Sequence, residues 1–442
     1  MKHKRKASSQ SEVSFMVDAW IPYGKTEVCA RIPTSNFLGY IEPNEKVGVS
    51  DPKAEIERAL SQPIGTQRLS EIAKAGNKVA IVVDDATRVT PSHMMIIPLL
   101  DELNKAGVKD EDITVIFGCG SHRPVTQAEM EKLVGKEALE RSKAINHDYM
   151  AEDQVFLGET SQGTKVNVNK VFAEADVKVL AGDINLHYYA GYGGGRKGVL
   201  PAVSSAETIQ QNHAMLLHPK ATTGVLEGNP VHEDMMEAAK LAKVDFIVNI
   251  VINSKKELVK AFAGDMEQAF VEGTKLVDEM YKVPIEQRAN IVVVSTGGHP
   301  HDINLYQASK AIQNALEAVK RRGVIVLAAE CPEGHGNEAF AEWMENFTDM
   351  KRLEKEIKKR FVVGGHKAYY INKALQKATI ILLSVLPDCY AVNTFKMRTA
   401  SAMNDALRDA FEVAGKNAKV YVMAHGSDTL PEYKAADQND NE

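Results

Sequence analysis

Short, unbroken apolar runs rich in Val and Ile recur along this chain, and longer stretches with helical spacing lie between them. The runs are Val79–Val83, Ile113–Phe117, Val177–Leu180, Phe246–Ile252, Ile291–Val294, Val324–Leu327, Phe361–Val363, Ile380–Val385 and Val420–Met423. A strand with one wet face alternates apolar and polar residues, whereas a strand covered on both faces does not. Segments such as Ser92–Ala106, Met235–Ala242 and Ala308–Arg321 supply the covering helices. The pattern predicts an α/β protein with mainly parallel sheets flanked by helices. At 442 residues the chain exceeds the ~250–300 at which one core usually divides. Two domains are expected: 1–284 as a cofactor-binding domain and 285–414 as a second α/β domain, with KVPIEQR (282–288) at the boundary. Residues 415–442 are expected to return and complete the first domain, and the active site is expected in the cleft between the two.

Composition narrows the function classes. The chain is 44% hydrophobic and 25% charged, enough for a sizeable core. A net charge of −6, from 53 basic and 59 acidic residues, offers no general attraction to nucleic acid. Lys2–Lys6 leads into SSQSE rather than an apolar stretch and reads as a solvated tail, not a signal peptide. Apolar runs such as Ile380–Leu386 fall far short of the ~20 residues of a membrane helix. Cysteines 29, 119, 331 and 389 lie far apart, which argues against a zinc knuckle or a disulfide framework. A cytoplasmic enzyme with neither membrane nor nucleic acid as partner is expected.

In open α/β sheets, ligands collect beyond the carboxyl ends of the strands. Five such ends carry polar, glycine-rich or histidine-bearing sequence: DDATRVTPS (84–92), GCGSHRPVT (118–126), AGDINLHYYAGYGGGRKG (181–198), STGGHPHDINLYQASKA (295–311) and AAECPEGHG (328–336). His122 and His187 each follow a strand, and two imidazoles facing a carbon from opposite sides suit a racemase or epimerase. Arg88 and Lys310 can clamp a carboxylate, with Tyr306 and Gln307 on the same wall; Tyr306 and Lys310 share a helical face at i and i+4. Asp84 and Asp85 can bind a ribose hydroxyl or orient a cation. Lys197 sits in a run with glycines at 191, 193, 194, 195 and 198, where backbone either approaches a ligand or takes up positive φ. His213 falls in a helix expected to begin at Ser204 and Glu207 by capping-box spacing. One imidazole cannot hold a metal, so His213 is either structural or partnered by donors that a cofactor brings.

Together DDATR (84–88), GSHRP (120–124), the H…GGGRKG…NH block (187–213), YQASK (306–310) and ECPEGHG (330–336) closely resemble the nickel-pincer nucleotide-dependent lactate racemase family. The match spans about two thirds of the chain in the family's order and spacing. The resemblance implies a pyridinium-3,5-bisthiocarboxylic acid mononucleotide joined covalently to Lys197. Nickel would be held by its sulfurs, a ring carbon and His213; soft sulfur donors suit a tetragonal Ni(II) site. Asp85, Gly194, Gly195 and Arg196 are expected to bind this cofactor. The implied chemistry is reversible hydride transfer from a 2-hydroxy acid, with His122 and His187 exchanging acid and base roles and Arg88 and Lys310 holding the substrate. Proteins that make the cofactor are implied as partners.

Lactate-specific members resemble one another in a tryptophan near the substrate, in the region after Gly365. Here that region reads GHKAYYINKA, so His366, Lys367, Tyr369 and Tyr370 are expected to form a more polar wall for a 2-hydroxy acid other than lactate. Two other readings compete. A nicotinamide-dependent 2-hydroxy acid dehydrogenase would need an intact GxGxxG opening a helix; GYGGGRKG comes closest, with a lysine crowding the loop. A non-catalytic carrier of the cofactor would need only Lys197 and His213.

Overall fold

The structure, a computed structural model, describes residues 15–88 and 90–433. The chain divides into two compact units. Of the described residues, one unit comprises Pro43–Lys282 and Asp349–His366; the other comprises 15–42, Val283–Thr348 and 367–433.

The sheet of the first unit runs, in spatial order, Leu258–Gly264, Phe246–Ile252, Val177–Asp183, Val79–Asp84, Ile113–Gly118 and Lys143–Asn146. All neighbours pair in parallel except the antiparallel edge at Leu258. Its strands are buried on both faces, as their unbroken apolar runs require. After Val79–Asp84 the chain works outward through Ile113 and Lys143. It then returns to the other side through Val177 and Phe246. The gap between the Val79 and Val177 strands is therefore the topological switch point, where the two connections diverge and leave a crevice.

The second unit repeats the principle with six parallel strands: Arg398–Ala400, Ala378–Leu383, Val319–Ala328, Ala289–Ser295, Val420–Met423 and Phe37–Tyr40. A hairpin, Met16–Tyr23 with Thr26–Pro33, turns Ala19, Ile21, Ala30 and Ile32 into this core. Among the described residues, no helix is long and apolar enough to cross a membrane.

The α/β architecture with parallel-dominated sheets matches the sequence expectation. Two local expectations do not hold. Phe361–Val363 is not a strand: Gly364 and Gly365 follow at once, and Phe361 packs face-on against the His366 ring (5.1 Å) and edge-on to His213 (4.7 Å). Residues 415–442 were expected to complete the first domain, but Val420–Met423 pairs with Ala289–Ser295 and Phe37–Tyr40 instead. It is Asp349–His366 that return to the first unit.

Candidate active site

Three of the five polar strand ends meet in the first unit, on the adjacent Val177, Val79 and Ile113 strands. At the switch point the Thr90 hydroxyl lies 2.7 Å from Asp84 Oδ2 and 2.6 Å from Asp183 Oδ1. One hydroxyl has one proton to give, so one of these contacts needs a protonated carboxyl. Burial, and then the charge of Asp183, push Asp84 up to about 7. Asp84 is thus the carboxyl that takes up the proton, and Asn185 Nδ2 donates to the far oxygen of Asp183 at 2.6 Å.

One residue on, Asp85 takes a different part. Burial favours its neutral form, but the hydrogen bond and charge of His122 and the charge of Arg88 outweigh burial and hold it below the usual carboxylate range. His122 Nδ1 sits 2.9 Å from Asp85 Oδ2, and Thr87 N donates to Asp85 Oδ1 at 2.6 Å. A carboxylate can only accept, so Nδ1 carries a proton, and in the neutral imidazole the lone pair falls on Nε2. Arg88 is reached by solvent yet ringed by protein. Burial opposes its charge, but Asp85, Asp84 and Asp183 more than compensate, and it stays a cation.

His187 is oriented the opposite way. The backbone N–H of Ala190 donates to its Nδ1 at 3.3 Å, so its own proton resides on Nε2. Burial, then Lys197, Arg88, His213 and Arg196, depress its pKa well below the ordinary histidine value. Tyr188 stacks on it at 4.8 Å and Tyr189 meets it edge-on at 4.5 Å.

Lys197 occupies a 3-10 turn, Gly195–Gly198, reached through backbone only glycine takes comfortably. Gly194 has φ 77°, and a Cβ there would lie 2.7 Å from the Asp183 carbonyl oxygen. The glycines press the loop onto the strand end: Gly195 N donates to Asn249 Oδ1 at 2.7 Å. Arg196 points inward, fully buried, bonded to the carbonyls of Ala190 (2.7 Å) and Gly194 (3.2 Å) with its guanidinium 4.3 Å over Phe270. Gly195 N and the Arg196 side chain are thus engaged by the protein itself. Their contribution is the loop that presents Lys197. That amine lies 5.8 Å from the Tyr189 ring centre, and burial, followed by Arg88 and Arg196, lowers its pKa well below the usual range.

His213 ends the helix Ala206–His213, whose N-cap is Ser205 rather than Ser204; Ser205 accepts from Thr208 N, while the Ser204 hydroxyl is turned to the Val199 carbonyl. The imidazole is buried between Tyr189 (5.3 Å) and Phe361 (4.7 Å), and that burial, with the charge of Lys197, keeps it neutral. Among the described residues, no group of three or more His, Cys, Asp or Glu could hold a metal ion. The described protein residues around His213 do not complete a metal site on their own.

Tyr306, Gln307 and Lys310 stand at the start of helix Leu305–Ala318 in the other unit. Asn304 caps it, accepting from Gln307 N at 3.0 Å. The ECPEGHG loop splints its entry, since Gly334 and His335 carbonyls accept from Leu305 N and Tyr306 N. GHKAYYINKA is the start of the helix Gly365–Lys377. His366, Lys367, Tyr369 and Tyr370 are all buried there, His366 in the first unit and the others in the second. His366 Nε2 lies 2.6 Å from the Tyr188 hydroxyl. Sequence reasoning missed Asp183, Thr90, Tyr189, Asn212 and Phe361.

A switch-point crevice that gathers two oppositely oriented imidazoles, an arginine and a lysine of depressed pKa defines an α/β enzyme. Comparison with known proteins says which. The family model of the lactate racemase N-terminal domain matches residues 23–224, and that of the C-terminal domain matches 285–430. A lactate racemase of Thermoanaerobacterium thermosaccharolyticum is 34% identical over 93% of this chain and 98% of its own length. One of Lactiplantibacillus plantarum is 32% identical over 93% and 99%. The solved lactate racemase apoprotein of the former organism superposes with a TM-score of 0.86 at 33% identity, covering 94% of this chain and all of that one. A Thermotoga maritima protein shares the fold alone, at a TM-score of 0.65 and 19% identity. The chain belongs to the lactate racemase family and is an isomerase of the racemase class.

Proposed function

We propose that this enzyme racemises or epimerises 2-hydroxy carboxylic acids, using a nickel-pincer nucleotide attached at Lys197. The observation that carries the reading is the pairing, in one unit, of an enclosed lysine in a glycine-built turn, whose charge burial and two arginines disfavour, with a buried imidazole on a neighbouring helix. A neutral amine is a nucleophile able to form a covalent link. A lone His213 suits a metal whose other donors arrive with an organic ligand. The donor chemistry of the site fits the group. When bound, the cofactor supplies the hydride acceptor that no protein side chain offers. Proteins that synthesise it are the implied partners.

The chain's own residues supply the rest. Arg88 gives a planar fork for the substrate carboxylate. His122 offers the Nε2 lone pair to the 2-hydroxyl, with Asp85 stabilising the imidazolium that forms. His187 presents Nε2–H toward the oxygen when the opposite enantiomer reacts. Gly194, Gly195 and Arg196 shape the loop around the attachment point. The glycine run does not favour a nicotinamide dehydrogenase, because Gly195 N–H, which a pyrophosphate would need, is already bonded to Asn249.

The substrate is a 2-hydroxy acid other than lactate. The hydrogen-bonded Tyr188–His366 pair gives the surroundings of His187 a polar character, which suits a substrate that carries polar groups in place of a methyl. The test is production together with the cofactor-synthesis proteins, followed by intact-mass and peptide mapping, nickel analysis and chiral assays on single enantiomers of lactate, malate and gluconate. An adduct on Lys197, nickel, and racemisation slowest on lactate are expected. Absence of any adduct would overturn the cofactor reading. Turnover of lactate ten times faster than the others would overturn the specificity.

A further inference from the structure

The helix histidine is not merely present; its ring is set. Asn212 beside it has one donor end and one acceptor end. Its Nδ2 lies 3.1 Å from the Val231 carbonyl and 2.8 Å from Asp234 Oδ2. Both are acceptors, so the amide cannot flip without setting its oxygen against two others. Asn212 Oδ1 therefore faces His213 Nδ1, at 3.1 Å, and accepts its proton.

Asp234 is in turn immobilised. The Thr160 hydroxyl donates to its Oδ1 at 2.5 Å and the Thr164 hydroxyl to its Oδ2 at 3.0 Å. Asn212, Asp234 and Thr164 are wholly buried, so this polar relay stands where an unmet hydrogen bond is costly. The relay ties the His213 helix to the helix Pro230–Leu241 and to the 160–164 turn. At its other end it decides which side of the His213 ring bears hydrogen.

We propose that Asn212, held by Asp234, is a positioning residue that fixes His213 as the Nδ1–H tautomer and leaves its Nε2 lone pair as the protein's donor to the metal. The proposal rests on the reading of His213 as a metal donor given above. The opposite tautomer would set an N–H where a lone pair is needed. Partners of this kind typically contribute about 10- to 100-fold in metal affinity.

The test begins with the apoprotein, where the cofactor plays no part. Nitrogen-15 NMR of labelled histidine side chains, with His213 identified by its disappearance in His213→Gln, should show a protonated Nδ1 and an unprotonated Nε2. In Asn212→Leu the tautomers should mix; the loaded variant should keep the Lys197 adduct but surrender nickel to a chelator at least about tenfold faster than wild type. A wild-type His213 protonated on Nε2 would overturn the proposal even if Asn212→Leu fails to fold. So would Asn212→Leu with unchanged tautomer and nickel retention. A wild-type protein with no adduct would sink the wider functional reading instead, while the apoprotein spectrum still decides the tautomer.

Discussion

The two imidazoles are chemically unequal before any substrate arrives. In its neutral form His122 shows an Nε2 lone pair because its Nδ1–H donates to Asp85, whereas His187 shows an N–H because Ala190 donates to its Nδ1. Unequal bases do not make a lopsided racemase, because enantiomers have equal free energies and an equilibrium constant of one. His122→Ala and His187→Ala should therefore each lower kcat/KM by the same factor from either enantiomer, about 10²–10⁴, while kcat alone differs between directions. Initial rates from each pure enantiomer measure this; unchanged rates in both variants would refute the two-histidine mechanism. Asp85→Asn should lower kcat/KM too, as the amide no longer enforces the tautomer of His122. These histidines, with Arg88 and Lys197, were legible in the sequence because their chemistry resides in the side chain itself. Thr90 and Asp183 were not: they acquire meaning from each other, across 93 positions.

At the scale of elements, the site depends on how one loop lands on one strand end. Gly194→Ala places a methyl against the Asp183 carbonyl and forces a positive φ on alanine, a strain of about 1–3 kcal/mol. Its thermal midpoint should fall, and its Lys197 adduct should form more slowly. Ser205→Ala removes an N-cap and should cost about 1 kcal/mol in denaturant unfolding without changing nickel content, since His213 sits at the helix's other end. Strand identity was legible because burial on both faces leaves unbroken apolar runs. Phe361–Val363 shows where that signal fails, because a short apolar run bordered by glycines can serve aromatic packing equally well. The Met16–Tyr23 hairpin alternates inward Ala19 and Ile21 with outward Asp18 and Trp20, a period-two pattern easily missed beside longer runs.

For the whole molecule, the buried titratable groups oppose one another in pH. His213 is kept neutral in the folded state, so below about pH 6.5 only the unfolded chain takes up its proton. Its contribution to stability is present above that pH and lost as pH falls, at up to about 1.4 kcal/mol per pH unit. Asp84 has the opposite sign: with its value pushed up from 3.8 to about 7, the folded state holds an extra proton, and stability is lost as pH rises through that window. Denaturant midpoints from pH 5 to 8 should show a shallower acid-side fall in His213→Gln and a shallower neutral-side fall in Asp84→Asn. An unaltered slope in either would refute its assigned burial. The number of cores followed from chain length, but which residues return to which core did not. The crossings after Thr348 and at Val420 depend on strand order, and strand order is a property of pairing rather than of composition.

The depressed lysine also alters how the whole chain meets reagents. Most of its amines are protonated at neutral pH and acylate slowly. Lys367 is depressed as well, but it is 1% exposed and sealed from solution. Lys197 has its charge disfavoured by burial and two arginines, and is partly open. A limiting dose of an acylating reagent at pH 7 should therefore modify Lys197 ahead of its many competitors, as read by peptide mass mapping. A protein already carrying its cofactor should leave that peptide unlabelled. The same loop that prepares a covalent bond would then serve as a count of how many molecules have yet to make it.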